Sequence, residues 1–351
     1  MPVKRITLPK HFKEICERGK LQELEEVYKR CDLEAYTGYN KQTAFSTFGI
    51  PEHFITWLVE QGADINARDT YQRTALYHHA SYWQSSAEAL LKAGAGIELA
   101  DYQNNTPLHN AVAGGKTEVV KLLIRYGADV DAKNGAGQTP LEKGLEQCRN
   151  AGITDMADIA EILLAAGAQK TERMAGDVEQ LGKTFEFYRS SFNQDYLEEI
   201  EASLARLYTI FDGTPAVRRN EHDGISPIVA RSTTWQKQHE ELWEYLVPGR
   251  GPCKTVQGEV IRITGKVSDE IFRNGGGNWD RQFAAMVKAL KHYFQMGTPL
   301  EREFLLEAEH IIKAIMKQEG DEQLARISEL AVRWVALNPE AIQLESPAYR
   351  R

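Results

Sequence analysis

The sequence predicts an all-α protein, with a repetitive first half followed by a domain of five or six helices. Two observations lead to this prediction: a segment of about 33 residues that recurs before position 172, and apolar residues at three- and four-residue steps beyond position 183. The second half contains no alternation of apolar and polar residues typical of strands. The length of 351 residues fits two domains of ordinary size.

Threonine opens four related segments in the first half, at spacings of 31, 32 and 33 residues. A glycine-alanine pair follows in each segment, and a half-copy precedes them at residues 19–31. The threonines are Thr43, Thr74, Thr106 and Thr139, and the pairs begin at Gly62, Gly94, Gly127 and Gly167. Residues 106–111 read TPLHNA, and with them the segment resembles the ankyrin-repeat family. The resemblance covers about residues 10–170 and implies a solenoid, and it carries no implication of an enzyme activity.

One copy shows why such segments form pairs of helices. Thr106 is suited to cap the first helix, and Pro107 to its first turn. The apolar residues of 119–124 supply one face of a second helix, and Gly127 tolerates the left-handed conformation that ends it. His109 belongs to the repeat signature, so we expect it to hydrogen bond. One pair cannot bury its apolar face alone, so neighbouring pairs are expected to stack.

Two copies depart from this pattern. The second has His79 where the family has a small alanine, and it is one residue short. We therefore expect a local shift of its first helix. The fourth carries about seven extra residues around 148–152, which predicts a longer loop between its helices.

The resemblance implies that the chain binds another protein through hairpin tips and the concave face of the first helices. The matching positions here are Tyr39, Asn40, Thr70, Tyr71, Arg73, Ser81, Tyr82, Tyr102, Gln103 and Asn105. Three of the tyrosines recur at nearly the same place in successive copies, and tyrosine is enriched in interface hot spots. The alternative is that these rings pack on neighbouring loops and bind nothing. Trp83 either extends this surface or fills the gap left by the deletion.

The polar stretch 173–183 lacks the repeat period. It is expected to be a linker between an ankyrin-repeat domain at 1–172 and a helical domain at 184–345, which resembles no family of known function. The spacing of apolar residues predicts helices at 196–211, 235–246, 256–271, 283–294, 304–315 and 324–334.

A pair of glycines and a glycine-rich loop stand out in the second half. Gly258 and Gly265 share one face of a predicted helix, where we expect another helix to approach closely, the alternative being a ligand. The loop at 274–277 exposes backbone N–H groups just before the next helix, which suits an anion. The favoured interpretation, however, is a flexible turn whose Asn278 or Asp280 caps a helix. The candidate ligand pocket comprises Arg250, Lys254, Asn274, Asn278, Trp279 and Asp280.

Motifs for catalysis and metal binding are incomplete. Segments 177–184 and 248–255 both lack glycines of the phosphate-binding loop. His239 begins a zincin-like HEELW without the second histidine. Glu307 and His310 form a single E-x-x-H pair where a di-iron bundle needs two. The sequence therefore predicts no catalytic residue, metal or cofactor, and it favours a protein that is not an enzyme.

Composition excludes several classes of protein. With 42 basic and 50 acidic residues the formal net charge is −8, which argues against a protein that coats nucleic acid. Four cysteines without a C-x-x-C motif indicate a reducing compartment. No apolar run approaches the roughly 20 residues that cross a bilayer, and residues 1–20 lack the apolar core of a secretory signal. These features predict a cytoplasmic protein without nucleic-acid or membrane partners.

The leading interpretation is a non-enzymatic scaffold or adaptor that grips a partner protein. An immunity or effector factor of bacterial type is one specific form of it, of which the sequence gives no direct sign. The alternative is that the C-terminal helical domain is an enzyme or binds a small ligand, while the repeats deliver it. A third is that the two domains cover these surfaces themselves.

Overall fold

A computed structural model describes residues 4–82, 85–317 and 321–349, apart from the side chains of 321 and 322. The chain is mostly helical, at 56% of residues, which confirms the predicted all-α class. It forms two compact units. One runs up to Lys183 and includes Asp195–Ala216, and the other combines Thr184–Gln194 with the chain from Val217 onward.

The first unit is built from short helices joined by extended hairpins. Its helices are α1 (Phe12–Arg18), α2 (Leu21–Tyr28), α3 (Glu52–Glu60), α4 (Ala75–Ala80), α5 (Ala87–Lys92), α6 (Pro107–Ala113), α7 (Thr117–Arg125), α8 (Pro140–Gln147), α9 (Ile153–Ala165) and α11 (Leu197–Phe211), with α10 (Glu172–Tyr188) continuing into the second unit. The first helices of successive copies stack, α4 on α6 and α6 on α8, and Leu76, Leu108 and Leu141 of these helices are almost fully buried. The core is therefore shared between neighbouring pairs, as stacked repeats require.

A three-stranded sheet precedes the stack, which the sequence analysis did not predict. Its strands are β1 (Arg5–Thr7), β2 (Cys31–Thr37) and β3 (Gln42–Thr43). β1 pairs in parallel with β2, and β2 pairs antiparallel with β3 in the register Tyr36 to Thr43. The copy that opens at Thr43 continues with a 3₁₀ turn at Ala44–Ser46 instead of a first α-helix.

The caps and loops of the later copies agree with what the sequence predicts for them. The Thr106 hydroxyl accepts a hydrogen bond from the backbone N–H of His109, and the ring of His109 lies 3.0 Å from the carbonyl oxygen of Gln138. The expected cap and the hydrogen-bonding role of His109 are confirmed. α4 is one residue shorter than α6, in the copy with the deletion. The extra residues of the fourth copy form a loop that includes a 3₁₀ turn at Asn150–Gly152.

Residues 173–183, expected to be a linker, lie inside α10 instead. Met174, Val178 and Leu181 are buried at three- and four-residue steps, so the stretch has the apolar face of a helix despite its polar composition. The following helix α11 contacts α9, where the Arg206 guanidinium pairs with Asp158 and Glu161. The first compact unit therefore includes a segment beyond position 172.

The second unit is a helical domain centred on one long helix. Its helices are α12 (Trp235–Leu246), α13 (Val256–Asn274), α14 (Arg281–Tyr293), α15 (Arg302–Ile315) and α16 (Asp321–Leu337). α13 contacts α12, α14 and α16. All six helices predicted beyond position 183 are confirmed, although the first of them, α11, belongs to the other compact unit. Among the described helices, none has the length and apolarity needed to span a bilayer.

The glycine pair of α13 marks a close helix contact, as expected. A Cβ at Gly258 would lie 3.1 Å from the carbonyl oxygen of Leu246, at the end of α12. A Cβ at Gly265 would overlap the ring of Trp243 on the same helix. The missing side chains therefore let α12 and α13 approach each other.

Candidate functional site

An acidic or amide side chain organises three successive hairpins of the repeats from inside. The Asp101 Oδ1 atom accepts hydrogen bonds from the backbone N–H groups of Gln103 and Asn105, both at 2.9 Å. Asp69 and Asn134 make the same pair of bonds in the hairpins before and after it. Each accepting side chain is at least nine-tenths buried. The hairpins therefore share one rigid turn, with a side chain replacing a backbone acceptor.

Backbone hydrogen bonds join successive tips. The N–H of Thr70 donates to the carbonyl of Asn40 at 2.9 Å, and the N–H of Tyr102 to that of Tyr71 at 3.1 Å. The N–H of Gly135 donates at 2.7 Å to the Gln103 carbonyl, which a Cβ at position 135 would crowd. We call residues 39–41, 70–73, 102–104 and 133–137 the tip surface.

Three tyrosines project from the tip surface. The exposed fraction is 92% for Tyr39, 39% for Tyr71 and 58% for Tyr102. The rings of Tyr71 and Tyr102 lie 5.9 Å apart and are tilted by 47°. The Arg73 guanidinium lies 4.9 Å from the centre of the Tyr71 ring and 5.7 Å from that of Tyr77. Aromatic and cationic groups thus alternate along connected turns.

The other predicted partner-binding residues differ in accessibility. Thr70 and Gln103 are exposed on the tips, while Asn40, Arg73 and Ser81 are half-buried. Tyr82 is 40% exposed, and its ring stacks on Phe48 with centroids 3.5 Å apart. Trp83 lies outside the described residues.

Asn105 is buried, contrary to its expected role as a contact residue. Its exposed fraction is 2%, and its amide group bonds Asp101. Its Oδ1 atom accepts from Asn134 at 3.0 Å and from the Lys143 ammonium at 2.8 Å. Because these contacts join three elements, Asn105 holds the hairpins in register instead of facing a partner.

Sequence reasoning missed a row of buried polar side chains behind the tips. The Tyr77 hydroxyl donates to Asp101 Oδ2 at 2.9 Å, and the His78 ring lies 2.9 Å from Asp69 Oδ2. Burial lowers the pKa of His78, although Asp69 opposes the shift. Burial and Asp101 together raise the pKa of the Tyr77 hydroxyl. The sequence signal was the aspartate five residues before the helix caps Thr74 and Thr106, whose place in the turn became visible only in the structure.

The repeated pairs and hairpins match a known family. A family model for ankyrin repeats, built from three copies, matches residues 86–174. Residues 86–174 are ankyrin repeats. Ankyrin repeats indicate a module for protein–protein interaction.

Curated relatives are similar over part of their length only. The chain is 33% identical over 130 residues to ankyrin repeat and SOCS box protein 16 of Mus musculus, covering 34% of this chain and 28% of that protein. It is 51% identical over 53 residues to protein fem-1 homolog A of Danio rerio, covering 15% and 9%. It is 33% identical over 222 residues to BCL-6 corepressor-like protein 1 of Homo sapiens, covering 62% and 11%. The chain thus spans 28% or less of the length of each of these relatives.

Outside the ankyrin repeats, the second unit contains an open cleft of about 1490 Å³. The predicted pocket residues Arg250, Asn274 and Asn278 line it, together with the Gly265 face of α13. The other three predicted residues are not among its lining residues. Lys254 donates to the His222 carbonyl, Trp279 stacks on Phe283, and Asp280 accepts the N–H groups of Gln282 and Phe283. The helix-capping alternative is therefore correct for Asp280.

A buried ion pair lies along the wall of this cleft. The Arg262 guanidinium donates to both Glu259 oxygens, at 2.8 and 2.5 Å, and the Tyr349 hydroxyl donates to Glu259 Oε1 at 2.7 Å. Burial would raise the pKa of Glu259, but the hydrogen bonds and the charge of Arg262 hold it below its usual value. The carboxylate is therefore ionised and fully paired, which suits a positioning role better than proton transfer.

The side chains of the two incomplete metal motifs have other partners. Burial lowers the pKa of His239 to about 4, and its ring bonds the Thr264 hydroxyl at 2.9 Å. Glu307 is paired with Arg326. Within the described ranges, no three histidine, cysteine or carboxylate side chains lie together in a way that would hold a metal ion.

Proposed function

We propose that the chain is a non-enzymatic adaptor that binds a partner protein through the tip surface. The supporting observation is the row of three exposed tyrosines on turns joined by backbone hydrogen bonds. Rigid turns bind with little loss of conformational freedom, so contacts made by these rings contribute to affinity. Tyrosine adds a large contact area with few rotatable bonds.

A pull-down from native lysate with the full chain tests this proposal. The double variant Tyr71→Ala/Tyr102→Ala removes two adjacent rings and is expected to weaken capture of its strongest partner about tenfold or more. Tyr126→Ala is the matched control, because Tyr126 is 43% exposed at the end of α7 and lies off the tip surface. A partner retained equally by the double variant and the control would contradict the proposal.

The compartment is part of the same proposal. All four cysteines are unpaired, and Cys16, Cys31 and Cys253 are buried. Unpaired thiols support an adaptor that works in a reducing compartment such as the cytoplasm. Fractionation of cells that express the tagged chain tests this assignment.

A second candidate function is the binding of a small ligand in the cleft of the second unit. It is favoured because Arg250 lines the same cavity as Asn274 and Asn278, which lie more than 20 residues further along the chain. A panel of nucleotides, sugar phosphates and amino acids, screened by thermal shift, would identify a ligand. Arg250→Ala should abolish the shift, whereas Arg302→Ala, an exposed arginine outside the cleft lining, should leave it intact.

A further inference from the structure

The tip surface is cationic on a chain that is acidic overall. Its four segments contain Lys41, Arg73 and Lys133 but no aspartate or glutamate, while the whole chain carries a formal net charge of −8. Lys41 and Lys133 are exposed and Arg73 is half-buried. The three cations are distributed over three of the four joined tips, so the surface carries one sign of charge along its length.

The two carboxylates that directly precede tip segments in the sequence are turned inward. Asp69 and Asp101, which precede the second and third segments, are 5% and 4% exposed. Each accepts two backbone N–H groups of its own hairpin and buried side-chain donors, Asp69 from His78 and Asp101 from Tyr77 and Asn105. The charge of each aspartate is therefore satisfied by hydrogen bonds inside its own turn. A partner that binds at the tips contacts the cations and the tyrosines.

Two of the cations lie beside aromatic rings, and the third keeps most of its side chain in solvent. Lys41 lies 5.8 Å from the ring centre of Tyr36, and Arg73 lies over Tyr71. The Lys133 ammonium lies 3.5 Å from the Glu142 carboxylate. The exposed fraction is nevertheless 53% for the lysine side chain and 8% for the glutamate side chain. A carboxylate that approaches Lys41 or Arg73 from solvent therefore reaches a cation next to an aromatic ring.

We infer that the partner segment recognised by the tip surface is an acidic peptide stretch, rich in aspartate and glutamate with apolar residues between them. Carboxylates would pair with the three cations, and the apolar residues would pack on the tyrosines. A peptide fits better than a nucleic acid, because three cations on an acidic chain offer little phosphate neutralisation. This inference rests on the proposed function and specifies the partner's chemistry.

Selection of random dodecapeptides displayed on phage against the immobilised full chain tests the inference. Selected peptides should be enriched in aspartate and glutamate. Their affinity should fall with added salt, and about tenfold for Lys41→Gln/Arg73→Gln/Lys133→Gln. The matched control is Lys29→Gln/Lys92→Gln/Lys121→Gln, which removes three exposed lysines of helix surfaces and should leave affinity unchanged. The double variant Lys41→Gln/Lys133→Gln repeats the test without altering Arg73, should the triple variant fail to fold.

The outcomes separate this inference from the proposed function. Neutral or basic peptides whose binding is lost in Tyr71→Ala/Tyr102→Ala would overturn the inference and leave the tip surface as a binding site. Selected peptides that bind equally to every tip variant would overturn both. A single-stranded 30-nucleotide DNA that binds more tightly than the best peptide, in a manner dependent on the three cations, would also overturn the inference.

Discussion

At the scale of single residues, buried polar side chains set the shape of the hairpins. Asp101 supplies one oxygen to two backbone N–H groups and the other to the Tyr77 hydroxyl. Asn134 makes the same two backbone bonds with a neutral amide oxygen. The turn thus needs an oxygen acceptor at this position, and the charge is not required.

Replacement of Asp101 tests that statement. Asp101→Ala leaves buried donors without an acceptor and should lower the free energy of unfolding by about 3 kcal/mol. Asp101→Asn keeps the Oδ1 acceptor and should cost only about 1 kcal/mol. Urea denaturation followed by circular dichroism measures both. Equal losses for the two variants would show that the charge of Asp101 matters more than its geometry.

His79 makes the stability of the repeats depend on pH. It is fully buried, and burial lowers its pKa from an ordinary 6.5 to about 4. Its Nε2 atom lies 3.1 Å from the Phe45 carbonyl, and Nδ1 accepts the N–H of Ser86. The folded state therefore keeps the neutral ring, and Nδ1 would lose its bond on protonation.

In the unfolded chain, His79 binds a proton below pH 6.5. In the folded chain, the ring stays neutral down to about pH 4. The stabilisation that the neutral, buried ring of His79 contributes is complete above pH 6.5. It is lost as the pH falls from 6.5 to about 4. Between pH 7 and pH 5 it should decrease by about 2 kcal/mol. His79→Gln should reduce this decrease when urea midpoints are compared at the two pH values. Part of the slope should persist, because burial also lowers the pKa of His78 and His109. An unchanged slope would exclude His79 as its source.

At the scale of elements, the glycine pair of α13 lets two helices meet closely. A glycine within a helix costs about 1 kcal/mol relative to alanine, so it persists where contact requires it. At Gly265 the requirement is the ring of Trp243, which occupies the space of a Cβ. Gly176, in α10, has no atom within 4 Å of the same position and no such constraint.

Matched alanine variants should therefore change stability in opposite directions. Gly265→Ala should lower the melting temperature, because displacement of Trp243 costs about 1–3 kcal/mol and exceeds the gain in helix propensity. Gly176→Ala should raise stability by up to about 1 kcal/mol. Differential scanning calorimetry measures both changes. A stabilised Gly265→Ala variant would mean that Trp243 moves aside without cost.

At the scale of the whole molecule, the last helix pair of the repeats is covered by residues beyond the repeats. α11 packs on α9, and Arg206 pairs with Asp158 and Glu161 of that helix. Tyr208 of α11 occupies the space that a side chain at Gly182 of α10 would need. Terminal repeats need a cap, and α11 fills that place.

A fragment of residues 1–172 should therefore be less stable than one of residues 1–216. The shorter fragment exposes the face of α9 that α11 covers, so it should melt at lower temperature and tend to aggregate. Thermal melts and light scattering compare the two fragments. Equal melting temperatures would show that α11 contributes nothing to the cap.

The repeat was predictable because its helices and caps depend on residues that are close together in the sequence. Thr106 and Pro107 cap their own helix, and the helices of the second half follow from apolar spacing within each segment. The candidate site was predictable in part. The tyrosines of the tips lie at positions fixed by the repeat, whereas the burial of Asn105 depends on Asn134 and Lys143, both about 30 or more residues away.

The sequence by itself determined the helical class, the repeat length and the turns that carry Tyr39, Tyr71 and Tyr102, because each depends on residues within one segment. Only the tertiary structure decided which charges face solvent. Asp69 and Asp101 look like surface acids in the sequence, but the turns draw both inward to backbone N–H groups. A similar reason explains why residues 173–183, expected to be a linker, lie in α10. Their apolar side chains are buried by residues from elsewhere in the chain. Whether a side chain is buried depends on residues distant in sequence, and these come together only when the chain folds.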